Sequence, residues 1–431
     1  VIFIPQRYVL GIMGLFALAN SYTMRVCLSM TITQMVTHVA DEGHIVGETC
    51  PDYSEGTTNT SSGNSTTGRD RYDWDEATQG FLLSAFYYGY VLTHLPGGLL
   101  AEKFGGKWTL GLSLLVTSVA TALTPLAVTL GGAVGLFIIR VIEGCGEVSF
   151  VLLMARWVPP SERSMFGAMI FGGAQIGNIL GPYVSGLILA DNGDWAKVFY
   201  VFGALGIIWF IFWIFLCYST PNCHPFISDE ERNYLNENVM ASGLHKKLDP
   251  VPFKAILRSP PLWVLILVGH DWGYFTMITD LPKYFVDVLK FNIKETGTMS
   301  ALPYIAMYIF CKNVRKYLSF IILTSTLPAI LIILASYSGC NRYAAVVLFI
   351  FSMAFMGGFY SSVKINAMDI APNYAGTCSA FVNGLAAIAG IITPYLVGLL
   401  TPDVNTWHQM TVSLLADLYI KKTGCHCDAY Q

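Results

Sequence analysis

The chain has 431 residues, 54% of them apolar and only 12% charged, with a net charge of −3 and a mean hydropathy of +0.53. Soluble domains carry about 25% charged residues, so this composition cannot cover a surface that faces water throughout. A soluble enzyme or a nucleic-acid-binding module is therefore excluded as the whole protein.

Apolar blocks of about 20 residues recur along the chain, each long enough to cross a ~30 Å hydrocarbon core as a helix. They are continuous runs rather than alternations, which points to helices and not to a barrel. In chain order the predicted spans lie near 8–36, 78–101, 107–130, 132–155, 165–190, 197–217, 260–286, 297–311, 317–337, 343–367 and 376–400. The eighth is short. As a helix it reaches only about 22 Å, so the second half is expected to pack less well than the first. No twelfth apolar block follows Trp407. The fold class is thus an all-α polytopic membrane protein. Its expected parts are a helical half at 1–217, a linker at 218–258, a second and apparently incomplete half at 259–407, and an atypical tail at 408–431. The chain opens at Val1 without an initiator Met or signal peptide, which reads as a fragment or a gene product missing its start. The first span would then serve as an uncleaved anchor.

Flanking charge sets the expected orientation. The loop 37–77 is acidic and holds two N-x-[ST] sequons, at Asn59 and Asn64, which accept glycan only on the lumenal or extracellular side. Its Ser/Thr/Gly/Asn-rich stretch 54–68 is too polar to pack and is expected to be disordered. Bases gather in "EKFGGK" (102–107), "ARWVPPSERS" (155–164) and the linker, so the positive-inside rule places those in the cytosol.

Charges inside the spans are the functional signal, because each costs at least ~2.5–3.5 kcal/mol in hydrocarbon unless partnered or wet. In "GLFIIRVIEGCGEVSF" (135–150), Arg140, Glu143 and Glu147 share one helical face. Arg140 can neutralise only one of the two glutamates; the other must be protonated or meet a different cation, as a proton-coupling carboxylate does. The alternative is an Arg–Glu pair that merely locks helices. Arg25, about seventeen residues into the first span, offers a planar fork suited to carboxylate or phosphate, or else snorkels to the helix end. The seventh span carries His270 in "VGHDWGYFTMITDLPKYF", and the tenth carries Asn366 in "YSSVKINAMDIAPNYAG". Either could touch substrate, or be a satisfied structural residue. "GGAQIGNILGPYVSG" (172–186) spaces small residues four apart, a close-packing pattern of membrane helices.

"GGLLAEKFGGK" resembles the loop 2–3 signature of the major facilitator superfamily, with Gly98, Glu102, Lys103, Gly105, Gly106 and Lys107 in its places. Together with "YDWDEATQGFLLSAFYYGYVLTHLPGG", "RVIEGCGE", "ARWVPPSERS" and "DIAPNYAG", the chain resembles the anion:cation symporters, a family with sialin, vesicular glutamate transporters and sodium/phosphate cotransporters. "GHDWGYFTMITDLPKYF" is most similar to insect inorganic phosphate cotransporter sequences. The resemblance covers about residues 5–407. It implies a fold of two six-helix halves, substrate-anion contact at Arg25, and proton coupling through Arg140, Glu143 and Glu147. His270 stands where glutamate transporters have arginine, which argues against glutamate. Three departures stand out: a short segment without histidine after Glu147, a contracted "PYIAMYIFCKNVRKYL", and the tail in place of a twelfth span.

The function expected is secondary active transport of inorganic phosphate or organic anions, coupled to Na⁺ or H⁺ by alternating access. No G-x-x-x-x-G-K-[ST] loop, metal cluster or paired nucleophile and base suggests an enzyme, and no cofactor beyond the coupling ion is expected. The expected partners are a small anion and the lipid bilayer, with no nucleic acid, for a monomer in the plasma membrane or a lysosomal or vesicular membrane. The competing readings are an inactive, shortened or wrongly assembled paralogue and, further off, a membrane receptor.

Overall fold

The computed structural model describes residues 5–36, 71–104, 106–146, 153, 157–159, 161–240, 270–313, 319–339, 341–370 and 375–400. Among these the α-helices are α1 (Gln6–Met35), α2 (Glu76–Phe104), α3 (Gly106–Cys145), α4 (Arg163–Asn192), α5 (Trp195–Leu216), α6 (Asp229–Met240), α7 (His270–Asp287), α8 (Ile293–Asn313), α9 (Ser319–Ser336), α10 (Arg342–Ile370) and α11 (Ala375–Leu400).

The 40 residues of α3 are two antiparallel limbs that turn at Gly132, whose φ of 54° and ψ of −133° lie where a side chain would be strained. This hairpin supplies the third predicted span and the first part of the fourth, the rest of which lies mostly outside the described residues. Its first limb shows how the sequence builds a helix for lipid. Leu112, Val116, Val119, Leu123 and Leu126 recur at spacings of three and four and are exposed, while Thr117, Ser118, Thr121 and Thr124 are buried. The polarity is inverted because hydrocarbon is the outer solvent and gives no reward for hiding leucine. The buried hydroxyls meet backbone carbonyls one turn back, as Ser118 to Leu114 and Thr121 to Thr117. No polar atom of that face is left to lipid.

Two hydrophobic clusters divide the molecule. One joins α1 to α5 and includes Trp195, Trp209 and Trp213. The other joins α7 to α11 and recruits Val26, Phe86 and Tyr87 from the first half. Within the first half α1 packs on α4 and α5, and α3 on α2 and α5. Within the second, α10 packs on α8 and α9, and α7 on α11. The halves meet along α2–α11, α4–α8 and α1–α7. At the α4–α8 seam a Cβ built on Gly186 would stand 2.9 Å from the Gly297 Cα, so only glycine permits this approach. We call the end of the bundle where α1 stops and α2 starts the loop face, and the opposite end the linker face.

Two helices differ from expectation. The eighth helix is longer than its apolar stretch: α8 has 21 residues, or about 31 Å, its added ends including Lys294, Glu295 and Lys312. The extra turn comes from "FNIKE", where the Asn292 Oδ1 accepts the Glu295 N–H at 2.8 Å, so the polar first turn is capped rather than frayed. In the linker, Ser228 caps α6 by accepting the Glu231 N–H, giving a helix where only a loop was expected. Glu231 in turn accepts the N–H groups of Gln6 and Arg7, and Arg7 pairs with Glu162. The first turn of the linker helix is therefore bolted to the start of α1.

Candidate functional site

Arg25 sits near the middle of α1, half-buried, facing α2 and α7. Its guanidinium carbon lies 4.8 Å from the ring centre of Tyr87, 5.2 Å from Phe86, 5.3 Å from Tyr22, 5.4 Å from Phe275 and 5.9 Å from Tyr90. Three of these rings come from "FYYGY" (86–90) on α2, whose spacing puts Phe86 and Tyr90 one turn apart with Tyr87 beside them. Aromatic faces attract a cation through their quadrupole. The collar thus helps hold the guanidinium in place.

Arg25 and Arg140 line one narrow cleft, together with Ser29, Tyr87, Ile278 and Thr279. The cleft lies where α1, α2 and α7 meet, at the boundary of the halves. Arg140 differs from Arg25 in its partners. It is 1% exposed and Glu143 is 0% exposed. Its Nη1 donates to Glu143 Oε2 at 2.5 Å and to the Met24 carbonyl at 3.1 Å. Thr124 donates to the other carboxylate oxygen at 3.1 Å, and Thr117 to the Glu143 backbone carbonyl. This buried pair joins α1 to both limbs of α3, while the Arg140 Nε and Nη2 have no hydrogen-bond partner among the described residues.

Of the remaining predicted residues, Glu147, Gly105, Asn59 and Asn64 lie outside the described residues. His270 is the first residue of α7 and Asn366 lies in the last two turns of α10; the side chains of both lie outside the described set. Gly98, Glu102 and Lys103 fall in the closing turns of α2, likewise without described side chains. Gly106 and Lys107 open α3. Lys107 points away from the cleft: its Nζ donates to the Ile214 carbonyl at 2.7 Å and lies 3.9 Å from the Tyr218 ring centre. It thereby satisfies one of the carbonyls that the end of α5 leaves open. In this chain the signature lysine closes a helix end.

Sequence reasoning passed over three features. The aromatic collar was visible in "FYYGY" but read only as part of a family pattern. Asn178, in a stretch read for its small residues, donates to the Tyr274 hydroxyl at 2.8 Å, so a buried hydrogen bond joins α4 to α7 across the halves. Lys283 of α7 reaches Glu76 and Gln79 of α2. No local spacing announces a contact between residues 207 apart.

The sequence matches the family model described as Major Facilitator Superfamily over residues 10–394. It is 34% identical to a Drosophila melanogaster protein named "Putative inorganic phosphate cotransporter", over 96% of this chain and 83% of that one. It is 36% identical to sialin of Homo sapiens over 95% and 86%, and 27% identical to vesicular glutamate transporter 1 of Bos taurus over 96% and 75%. Among solved structures, the inward-open xylose transporter XylE of E. coli superposes with a TM-score of 0.69 at 12% identity, covering 97% of this chain and 95% of that one.

Proposed function

Starting from the fact that this chain belongs to the Major Facilitator Superfamily, we propose that it carries small anions across a membrane by alternating access, drawing on an H⁺ or Na⁺ gradient. The observation that carries this reading is Arg25: a cation held by uncharged rings, in a cleft between two halves. A cation so placed attracts an anion that enters the cleft. The named relatives handle phosphate, sialic acid and glutamate, and a guanidinium fork suits the oxygens of all three.

Arg25 is the principal anion contact in this proposal, with His270 and Asn366 as further contacts. Arg140 and Glu143 form a fixed pin, since each has the other as a buried partner. The coupling role therefore falls to Glu147, which can load and release a proton as the cleft changes sides. The loop face is lumenal or extracellular and carries glycan at Asn59 and Asn64; the linker face is cytosolic. Both halves lie in one chain, so a monomer suffices, and the protein does no covalent chemistry.

Purified protein in proteoliposomes, given labelled phosphate, sialate or glutamate under imposed proton or sodium gradients, tests the proposal. Gradient-driven accumulation of at least one anion, lost in Arg25→Ala, is expected. Uptake that ignores both gradients, or that survives Arg25→Ala with unchanged apparent affinity, overturns it. Glu147→Gln should keep anion exchange but lose accumulation; wild-type accumulation in that variant would move the coupling role elsewhere.

A further inference from the structure

Among the described residues, one ion pair joins the two halves. Lys283, in the last turns of α7, donates to Glu76 Oε2 in the first turn of α2 and to Gln79 Oε1 at 2.6 Å. Lys283 is 5% exposed, and the Glu76 side chain keeps 26% of its surface. Gln79 is itself held, its Nε2 donating to the Trp74 carbonyl at 2.9 Å. Both partners stand at the loop face, where α2 also packs along α11. The halves cannot separate there without pulling Lys283 off α2.

A lysine stripped of its partner in a buried place is costly, so an opening bundle needs a second partner for it. Asp280 precedes Lys283 by three residues on α7, which places both on the same helical face. Asp280 is 4% exposed and accepts a hydrogen bond from Thr279 Oγ1 at 2.8 Å. Among the described residues no cation lies within ion-pair distance of it in this closed arrangement. Thr279 lines the Arg25 cleft, so this carboxylate sits between the cleft and the loop-face seam.

We propose that Lys283 is the positioning residue of the loop-face gate. It bridges α7 to α2 through Glu76 while that face is shut, and passes to Asp280 on its own helix when the face opens. The exchange keeps the lysine neutralised in both states, so neither state carries a bare buried charge and the two can interconvert. It deepens the alternating-access reading and rests on it. Its signature is that the two carboxylates act in opposite directions: Glu76 favours the shut state and Asp280 the open one.

Distance measurement tests this without any substrate. Asp73 and Lys294 are exposed at the loop face, one on each half. Spin labels attached through ketone amino acids at 73 and 294, in purified protein in nanodiscs, report the separation by double electron–electron resonance. Glu76→Gln should raise the ratio of long to short distances about tenfold or more, the weight of one charge-assisted hydrogen bond. Adding Asp280→Asn to Glu76→Gln should bring that ratio back toward the short state, while Asp287→Asn, the other carboxylate within a turn of Lys283, should not. If Glu76→Gln leaves the distribution unchanged, or if the double variant stays as open as the single one, the proposal is wrong. An Asp287→Asn effect in place of the Asp280→Asn effect also overturns it. Because the readout is a distance, it can fail while anion uptake succeeds, and the reverse.

Discussion

Removing the charge of Glu143 while keeping its shape isolates the Arg140 pair. Glu143→Gln leaves a guanidinium that is 1% exposed with a neutral amide in place of its 2.5 Å carboxylate partner. The Thr124 hydroxyl keeps an acceptor, so the loss is almost wholly that of compensation for a buried charge. Breaking one side of such a pair costs about 3–5 kcal/mol, against a total stability on the order of 5–15 kcal/mol. The unfolded fraction should therefore rise by roughly two to nearly four decades, since each 1.4 kcal/mol is about tenfold. Equilibrium unfolding in mixed micelles, followed by tryptophan fluorescence, gives the midpoint directly. Arg140→Met combined with Glu143→Leu should return to within about 1 kcal/mol of the parent, because a buried pair exchanged for apolar groups is close to neutral. If the single variant is as stable as the parent, or the double variant as unstable as the single, Arg140–Glu143 is not the pin described here.

Three further outcomes are expected. Arg25→Lys keeps the charge but loses the planar fork, and should weaken apparent anion affinity by about 1.5–3 kcal/mol, read as a rise in KM; an unchanged KM counts against Arg25 as the contact. Glu231→Ala uncaps Gln6 and Arg7 at about 0.5–2 kcal/mol, and should speed hydrogen exchange at those amides, whereas the exposed Glu230→Ala should not. His224 accepts the Phe226 N–H on Nδ1 and faces the Leu216 carbonyl with Nε2, and burial lowers its pKa below the ordinary value, partly offset by that carbonyl. The neutral ring is the one that fits, so this corner should be fully stable above about pH 6.5 and loosen as pH falls through the lowered value. Faster amide exchange at residues 217–226 in acid, absent in His224→Gln, would be the readout, and protection that ignores pH would refute it.

Among the described residues, hydropathy placed the ends of most limbs within a few residues because a span must be apolar over its full length; the expected end of the fourth span near 155 and start of the seventh near 260 lie outside the described residues. The limits of that signal appear where helices are polar at their ends. In α8 it began at Gly297 and missed the turn before it, although the Asn292–Glu295 spacing is itself a cap signal. In α6 a low apolar content hid a helix that Ser228 and Glu231 announce by the same chemistry. The site divides likewise. Arg140 and Glu143 were legible because three residues of helix bring them together. The partners of Arg25 and Lys283 come from helices distant in sequence, and only packing decides which face of α2 meets α7. The collar around Arg25 could be suspected from its rings but not assigned.

The clasp between Glu231 and the start of α1 also bears on how the protein is made. Gln6 and Glu231 are 225 residues apart, so the first helix enters the bilayer long before the carboxylate that closes its end has been synthesised. At ribosomal rates of about 5–20 residues per second, the amides of Gln6 and Arg7 wait for some tens of seconds with water or a lipid headgroup as their acceptor. They are satisfied only once the chain has passed α5 and begun the linker. The first half is thus fastened by a segment that is not part of it, and its completion coincides with the arrival of the stretch leading to the second half. A nascent chain halted before residue 231 should expose the start of α1 to exchange, and one released just past α6 should protect it.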